Sequence, residues 1–176
     1  MNNQQLLAKQ KGVTQVEFVI IATSVLLLLF AILEFAAYFY STQMVNEVTR
    51  RAARLATVCH ISDRDDIPQL NSLSALYPSG FAAENVEITY LDSSGSEVDV
   101  SGFLSIPPAD TATLQAQFDQ VRYVRARAIN YNYDFIVLST LLSIAGSTPS
   151  FETILPAESL GILRQATSAG ETRTDC

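Results

Sequence analysis

Residues 18–33, Phe-Val-Ile-Ile-Ala-Thr-Ser-Val-Leu-Leu-Leu-Leu-Phe-Ala-Ile-Leu, are uncharged and contain no Gly or Pro to break a helix. This run constrains the chain more than any other feature. Sixteen helical residues rise only ~24 Å, short of a hydrocarbon core of ~30 Å, but continuing the helix through Glu34 to Tyr40 gives ~34 Å. The longer span fits a bilayer, and Tyr38, Phe39 and Tyr40 then form an aromatic belt at the headgroup level. Glu17 and Glu34 bracket the core and lie ~25 Å apart along a helix axis, so each sits near an interface. That placement lowers the cost of about 2.5–3.5 kcal/mol that a carboxylate meets at a bilayer centre. An apolar run of Phe135 to Ala145 is too short to span and is expected to be a buried helix or loop, which keeps the membrane count at one.

Charge is unevenly distributed. Residues 1–55 hold five cations against three acids, a net of +2, and the remainder holds six Arg against fifteen acids, a net of −9. So acidic a body repels phosphate backbones, and nucleic-acid binding is not expected. Lys9 and Lys11 flank the apolar run on one side, and Arg50, Arg51 and Arg54 flank it on the other. The positive-inside rule therefore does not fix the orientation.

After Tyr40 the pattern becomes amphipathic. Met44 or Val45, Val48, Ala52 and Leu55 recur at three- and four-residue steps, and Glu47 stands four residues before Arg51, as in a helical stem. An ordinary secretory signal peptide competes for the N-terminal segment, but its apolar stretch is shorter and ends at a small-x-small site that this chain lacks. Beyond residue 59 turn residues become frequent. Val86–Leu91 and Glu97–Val100, joined by Asp92-Ser93-Ser94-Gly95-Ser96, read as a β-hairpin, and Ala109–Gln120 reads as a short helix. Val121–Phe135 reads as a long strand with a change of parity near Ala128, Phe151–Leu155 as another strand, and Arg122, Arg125 and Arg127 as exposed partners for nearby acids. The expected fold class is α+β: a long N-terminal transmembrane and stem helix with a small antiparallel β-sheet in the distal domain.

Catalytic signals are sparse. His60, the only histidine, follows Cys59, but side chains of adjacent helical residues diverge by about 100°, which disfavours a nucleophile pair. Asp63, Asp65 and Asp66 lack the Gly and distal Glu of a calcium loop and read as a solvated acidic turn. There is no phosphate loop, dinucleotide fingerprint, nucleophile elbow or zinc spacing, so no enzyme activity, cofactor, metal or small-molecule substrate is expected. Cys59 and Cys176 either pair or stay as free thiols; outside the cytoplasm a bond between them would close a loop worth roughly 4–5 kcal/mol.

The stretch Lys9-Gln10-Lys11-Gly12-Val13-Thr14-Gln15-Val16-Glu17-Phe18 resembles the class III signal of type IV prepilins and pseudopilins: a short basic leader, a Gly, four residues, a Glu and an apolar helix. The resemblance implies cleavage after Gly12 by a prepilin peptidase on the cytoplasmic side. Val13 then becomes the first mature residue and Glu17 the fifth. The new ammonium at Val13 needs a counter-charge, which Glu17 supplies from the same helix face or from a neighbouring subunit. Val13 departs from the Phe with which many prepilins begin.

Glu34-Phe35 with the aromatics after it, and the stem Val48-Thr49-Arg50-Arg51-Ala52-Ala53-Arg54-Leu55-Ala56, are similar to the TadE and TadF proteins of tight-adherence (Flp, type IVb) pili; Phe151-Glu152-Thr153-Ile154-Leu155-Pro156 with Leu160-Gly161 is similar less specifically. This likeness implies a minor pseudopilin in three parts: a cleaved cytoplasmic leader, residues 1–12; a transmembrane and stem helix, residues 13–58; and a periplasmic α+β domain, residues 59–176. It would be a single-pass protein of the bacterial inner membrane with its N-terminus cytoplasmic. Its partners would be the membrane, the prepilin peptidase, other pilins or pseudopilins and the pilus assembly platform, and the pilus would serve surface adhesion. The alternatives are a membrane-anchored periplasmic binding protein and a type II secretion pseudopilin. The leader between Gly12 and Glu17 argues against a plain anchor, which does not need it.

Overall fold

A computed structural model of the chain describes residues 3–105, 111–137, 139, 146–147, 150–161 and 176. Side chains are described from Thr14 onward, save at 104–105, 111–112, 114–115 and 146–147. The fold is α+β, with a long N-terminal helix followed by a small antiparallel sheet. Helix α1 runs from Asn3 to Val58, and no Pro interrupts it. By contacts the chain divides into two compact units, Met1–Tyr40 with Asp134–Gly146, and Ser41–Tyr133 with Ser147–Cys176. The boundary falls inside α1, because the helix changes character there. The large apolar side chains from Val16 to Leu33 are exposed, whereas Val45, Val48, Ala52, Ala53 and Ala56 are buried. Their three- and four-residue spacing is that of one helical stripe.

In the second unit that stripe lies under a three-stranded antiparallel sheet of order β1-β2-β5, with β1 at Val86–Leu91, β2 at Tyr123–Ala128 and β5 at Glu152–Pro156. Strand alternation decides what faces the stem. Val86, Ile88 and Tyr90 of β1 share a face with Val124 and Ala126 of β2, and all five are buried. On the same face Thr153 stands opposite Ala126 and Leu155 opposite Val124. Ala52, Ala53 and Ala56 on the helix and Ala126 on the central strand are fully buried in one hydrophobic core with Val48, Val124 and Tyr90. Thr49 and Thr153, whose hydroxyls lie 3.3 Å apart, share a hydrogen bond across this contact.

The opposite face carries the arginines expected to be exposed. Arg125 donates to the Thr89 hydroxyl at 3.0 Å and pairs with Glu97, and Arg127 pairs with Glu87, its cross-strand neighbour, at 2.7 Å. These are the acid partners anticipated for a basic strand in an acidic domain.

Two strand readings need correction. The turn expected at residues 92–96 forms: the Asp92 carboxylate accepts from the amides of Ser94 and Ser96, and the Asp92 amide donates to Ser96 O. Those bonds, led by the one from the Ser94 side chain, hold the Asp92 carboxyl below the usual carboxylate range. The returning arm, however, is only a bridge between Leu91 and Glu97 with one further bond from Val98 N to Tyr90 O. The chain turns away because Asp99 accepts from the Ser101 amide and opens a 3-10 turn at Ser101–Ser105. The full-length partner of β1 is β2, which lies over thirty residues later. The long strand read over residues 121–135 is likewise cut after Ala128, where Asn130 takes a positive φ of 53°. The Asn85 amide covers the break by donating to the carbonyls of Ile129 and Asn130. Pairing resumes only as β3, Asn132–Tyr133, joined to β4, Gly146–Ser147. Helix α2 occupies Asn71–Ser74, and α3, at Thr111–Phe118, falls inside the span expected to be helical.

The end of α1 is closed by residues far along the chain. Leu160 N donates to Thr57 O at 3.0 Å, satisfying a carbonyl that a helix end leaves without a partner. Gly161 follows with a φ of +74°, and a Cβ on it would lie 2.5 Å from the backbone of His60. A disulfide joins Cys59 to Cys176 across a sequence separation of 117. In the chain-entropy model a loop of that size stabilises the fold by roughly 4.7 kcal/mol.

Gly161→Ala is expected to destabilise the Ser41–Cys176 unit by at least ~2 kcal/mol through both the left-handed backbone and the His60 clash, read as a lower urea midpoint of the detergent-solubilised chain. Burial raises the Tyr90 phenol above its ordinary value, and its hydroxyl has no hydrogen-bond partner among the described residues. A value raised by folding gives stability that is intact below the unfolded pKa of about 10 and is lost as pH rises beyond it. Unfolding free energy should therefore fall above pH ~10, and Tyr90→Phe should flatten that fall while costing less than ~1 kcal/mol at neutral pH.

Candidate functional site: the apolar helix, its carboxylates and the stem

The segment singled out by sequence lies on one continuous helix, and its two halves have different surroundings. From Thr14 to Val58 α1 is long and apolar enough to cross a membrane, and none of its most apolar window is buried. That lack of burial separates it from the core helix of a soluble protein, which hides its apolar side chains against its own chain. Val16, Phe18, Ile21, Leu28 and Leu33 are all more than half exposed, on every side of the helix. A helix apolar all round and uncovered is suited to lipid or to other helices.

The carboxylates at the two ends differ. Glu17 is exposed on α1. Gly12 and Val13 fall on the helix, but their side chains lie outside the described residues, as does any contact between Val13 and Glu17. Glu34 is half-buried and accepts hydrogen bonds from the amides of Ile136, at 2.7 Å, and Val137. Phe135, just before them, packs on Phe35 and Tyr38 with ring centroids 6.0 and 5.6 Å apart. Sequence reading gave Glu34 as an end carboxylate and did not connect it with residues a hundred positions later. Backbone N–H donors leave no mark in a sequence.

The stem carries a different chemistry. Its buried stripe is spent on its own head, while Arg50, Arg51 and Arg54 are exposed. Arg51 pairs with Glu47 at 2.7 Å, four residues earlier, and its hydrogen bond holds the Glu47 carboxyl below the usual range. Arg50 and Arg54 line an open groove of about 600 Å³ between stem and β5, with Thr153, Pro156 and Glu158 on the other wall. Of the residues weighed for catalysis, Cys59 is buried in the disulfide and has no thiolate to offer. His60 caps the 3-10 turn at Ile61–Asp65, its Nδ1 accepting from the Ser62 amide at 3.2 Å. Asp63 accepts from Ser62 and from the Cys176 amide, and Asp65 pairs with Arg64. Among the described residues no group of three or more His, Cys, Asp or Glu is placed to hold a metal ion.

An apolar helix that its own chain leaves uncovered, followed by the stem of a small α+β unit, is compatible with a single-pass membrane anchor. Residues 12–54 match the TadE-like protein family, which is associated with the tight-adherence pilus. The match spans the apolar helix and most of the stem and stops short of the sheet. Searches of curated proteins and of solved structures returned no match.

Ala52→Leu, which inserts bulk where helix and sheet touch, should destabilise the head by about 1–3 kcal/mol, whereas Arg50→Ala should stay within ~0.5 kcal/mol, both read from urea unfolding.

Proposed function

We propose that the chain is a minor pseudopilin of the tight-adherence (Flp, type IVb) pilus, anchored once in the bacterial inner membrane and acting in pilus biogenesis for surface adhesion. The observation that carries this reading is that the TadE-like match begins at Gly12 and takes in the apolar reach of α1 that its own chain leaves uncovered, together with most of the stem. A pseudopilin needs such a helix, because it must pass from lipid to a packed bundle of like helices without changing structure. Residues 1–12 are then a cytoplasmic leader removed by prepilin peptidase, residues 13–58 the anchor and stem, and residues 59–176 a periplasmic head. The Cys59–Cys176 disulfide supports an oxidising compartment for the head.

In this reading Glu17 neutralises the ammonium that cleavage creates at Val13, either within one subunit or between neighbours. A charge pair completed only between subunits favours assembly in register, since an unpaired charge in lipid is costly. The stem of this protein is poorly suited to that packing, because its apolar stripe is covered by the sheet. Association with other pilins or pseudopilins and with the assembly platform therefore falls to the apolar part of α1.

N-terminal sequencing and intact mass of protein purified from peptidase-positive cells should give a chain starting at Val13, and Gly12→Ala should restore a start at Met1. A native chain that keeps Met1 in those cells would overturn the pseudopilin reading and leave a plain membrane anchor.

A further inference from the structure

β5 is an outer strand of the sheet, and among the described residues it pairs only with β2. The ladder between them runs from Ala128, whose amide donates to Phe151 O, to Ala157, whose amide donates to Arg122 O. In an antiparallel pair alternate residues turn their N–H and C=O to the partner, so Phe151, Thr153, Leu155 and Ala157 point theirs at β2. Glu152, Ile154 and Pro156 therefore point theirs away from the sheet. Pro156 fits that parity, since the N–H it lacks would have faced outward. The free edge offers the amides of Glu152 and Ile154 and the carbonyls of all three residues, which is a template for a further strand.

Beside this edge lies the open groove of about 600 Å³ whose other wall is the stem. β5 and the stem run alongside each other in the same direction, because Thr153 meets Thr49 and Leu160 meets Thr57. Thr153 and Leu155 line the groove from the strand, and Arg50, Arg54, Leu55 and Val58 line it from the helix. No residue of β1 or β2 takes part, so the groove lies outside the sheet, where a strand added to β5 would run. Arg50 and Arg54 are exposed, and among the described residues neither has an acid within salt-bridge distance, whereas Arg51 is paired with Glu47. Against these two cations the described lining sets only Glu158, which leaves the groove positive on an acidic head.

Arg50 and Arg54 stand one helical turn apart, ~6 Å along the axis, and alternate residues of a strand are ~6.8 Å apart. A strand laid against β5 therefore brings side chains of one face to both arginines. We propose that the β5 edge and this groove take an extended segment of a partner protein, which adds a strand beside β5 and sets carboxylates at alternate positions on Arg50 and Arg54. The main-chain edge selects an extended backbone, and the arginine pair selects its charge. A second copy of the chain is a poor occupant, because the alternating acids Glu97 and Asp99 are bound to Arg125 and to the Ser101 amide. A lipid headgroup would use the cations and leave the strand edge unmatched. All of these residues lie in the sheet-bearing unit, so binding does not depend on cleavage of the leader.

The probes are two fluorescent peptides, one alternating Glu and Val and one alternating Lys and Val, titrated into the full chain in a neutral detergent. The Glu–Val peptide should bind at least tenfold more tightly than the Lys–Val peptide. At saturation it should slow hydrogen exchange of the Ile154 amide several-fold and leave β1 unchanged. Arg50→Gln combined with Arg54→Gln, both at exposed positions, should weaken binding at least tenfold at an unchanged urea midpoint. Ile154→Pro removes an outward N–H and no ladder bond, so it should also weaken binding, with unchanged exchange in β2 as the check on folding. No binding of the Glu–Val peptide, equal binding of both peptides, binding without slower exchange at Ile154, or unchanged binding in the arginine variant overturns the proposal. Slowing of Ile154 by phosphatidylglycerol micelles in place of the peptide assigns the groove to lipid, and slowing on raising protein concentration alone assigns it to a second copy. Either result overturns the partner strand.

Discussion

Burial of one stripe of α1 under β2 is the contact on which the rest of the head depends. Val48, Ala52, Ala53 and Ala56 share one buried core with Val124 and Ala126. β1 and β5 flank β2 and extend the surface that covers the stem, while Leu160 and the disulfide close the helix end. A consequence is that the same helix serves two environments with a change of pattern alone. Before Tyr40 it is apolar on all sides, and after Ser41 it is apolar on one.

Polar groups of the head are matched locally. Asp92 and Asp99 each close a turn through backbone amides, Asn85 satisfies the two carbonyls released where β2 stops, and His60 caps the turn that follows the stem. The arginines of β2 are spent on Glu87 and Glu97. In an acidic chain a conspicuous basic strand thus finds its counter-charges on β1 and on the turn after it. Its charges hold turns and strands in place.

What could be read from the residues followed their range. The apolar helix, the amphipathic stem and the turn at Asp92 rest on periods and spacings of a few residues, the acid partners of Arg125 and Arg127 on the acidic charge around them, and all are present in the structure. The partner of β1 was misread because a good turn followed by Val98 and Val100 looks locally like a hairpin, while the actual pairing with β2 depends on packing against the stem. The break at Asn130 was hidden by the alternating aromatics that continue past it. For the candidate site, the sequence offered Glu17 and Glu34 by position alone. The acceptor role of Glu34 was not legible, since its donors are main-chain amides and its partner segment resembles any buried apolar stretch.

The way the stem is covered also sets an order of events. The hydroxyl pair of Thr49 with Thr153 and the bond from Leu160 to Thr57 each join positions about a hundred residues apart. A chain made from its amino end thus displays Val45, Val48 and Ala52 long before β2 and β5 exist to cover them. At roughly 5–20 residues per second that delay is on the order of 5–20 s, far longer than the sub-microsecond formation of a helix. During this window the stem is an apolar helix with an open face, and its fate is decided by the speed of synthesis and transport rather than by the stability of the finished head.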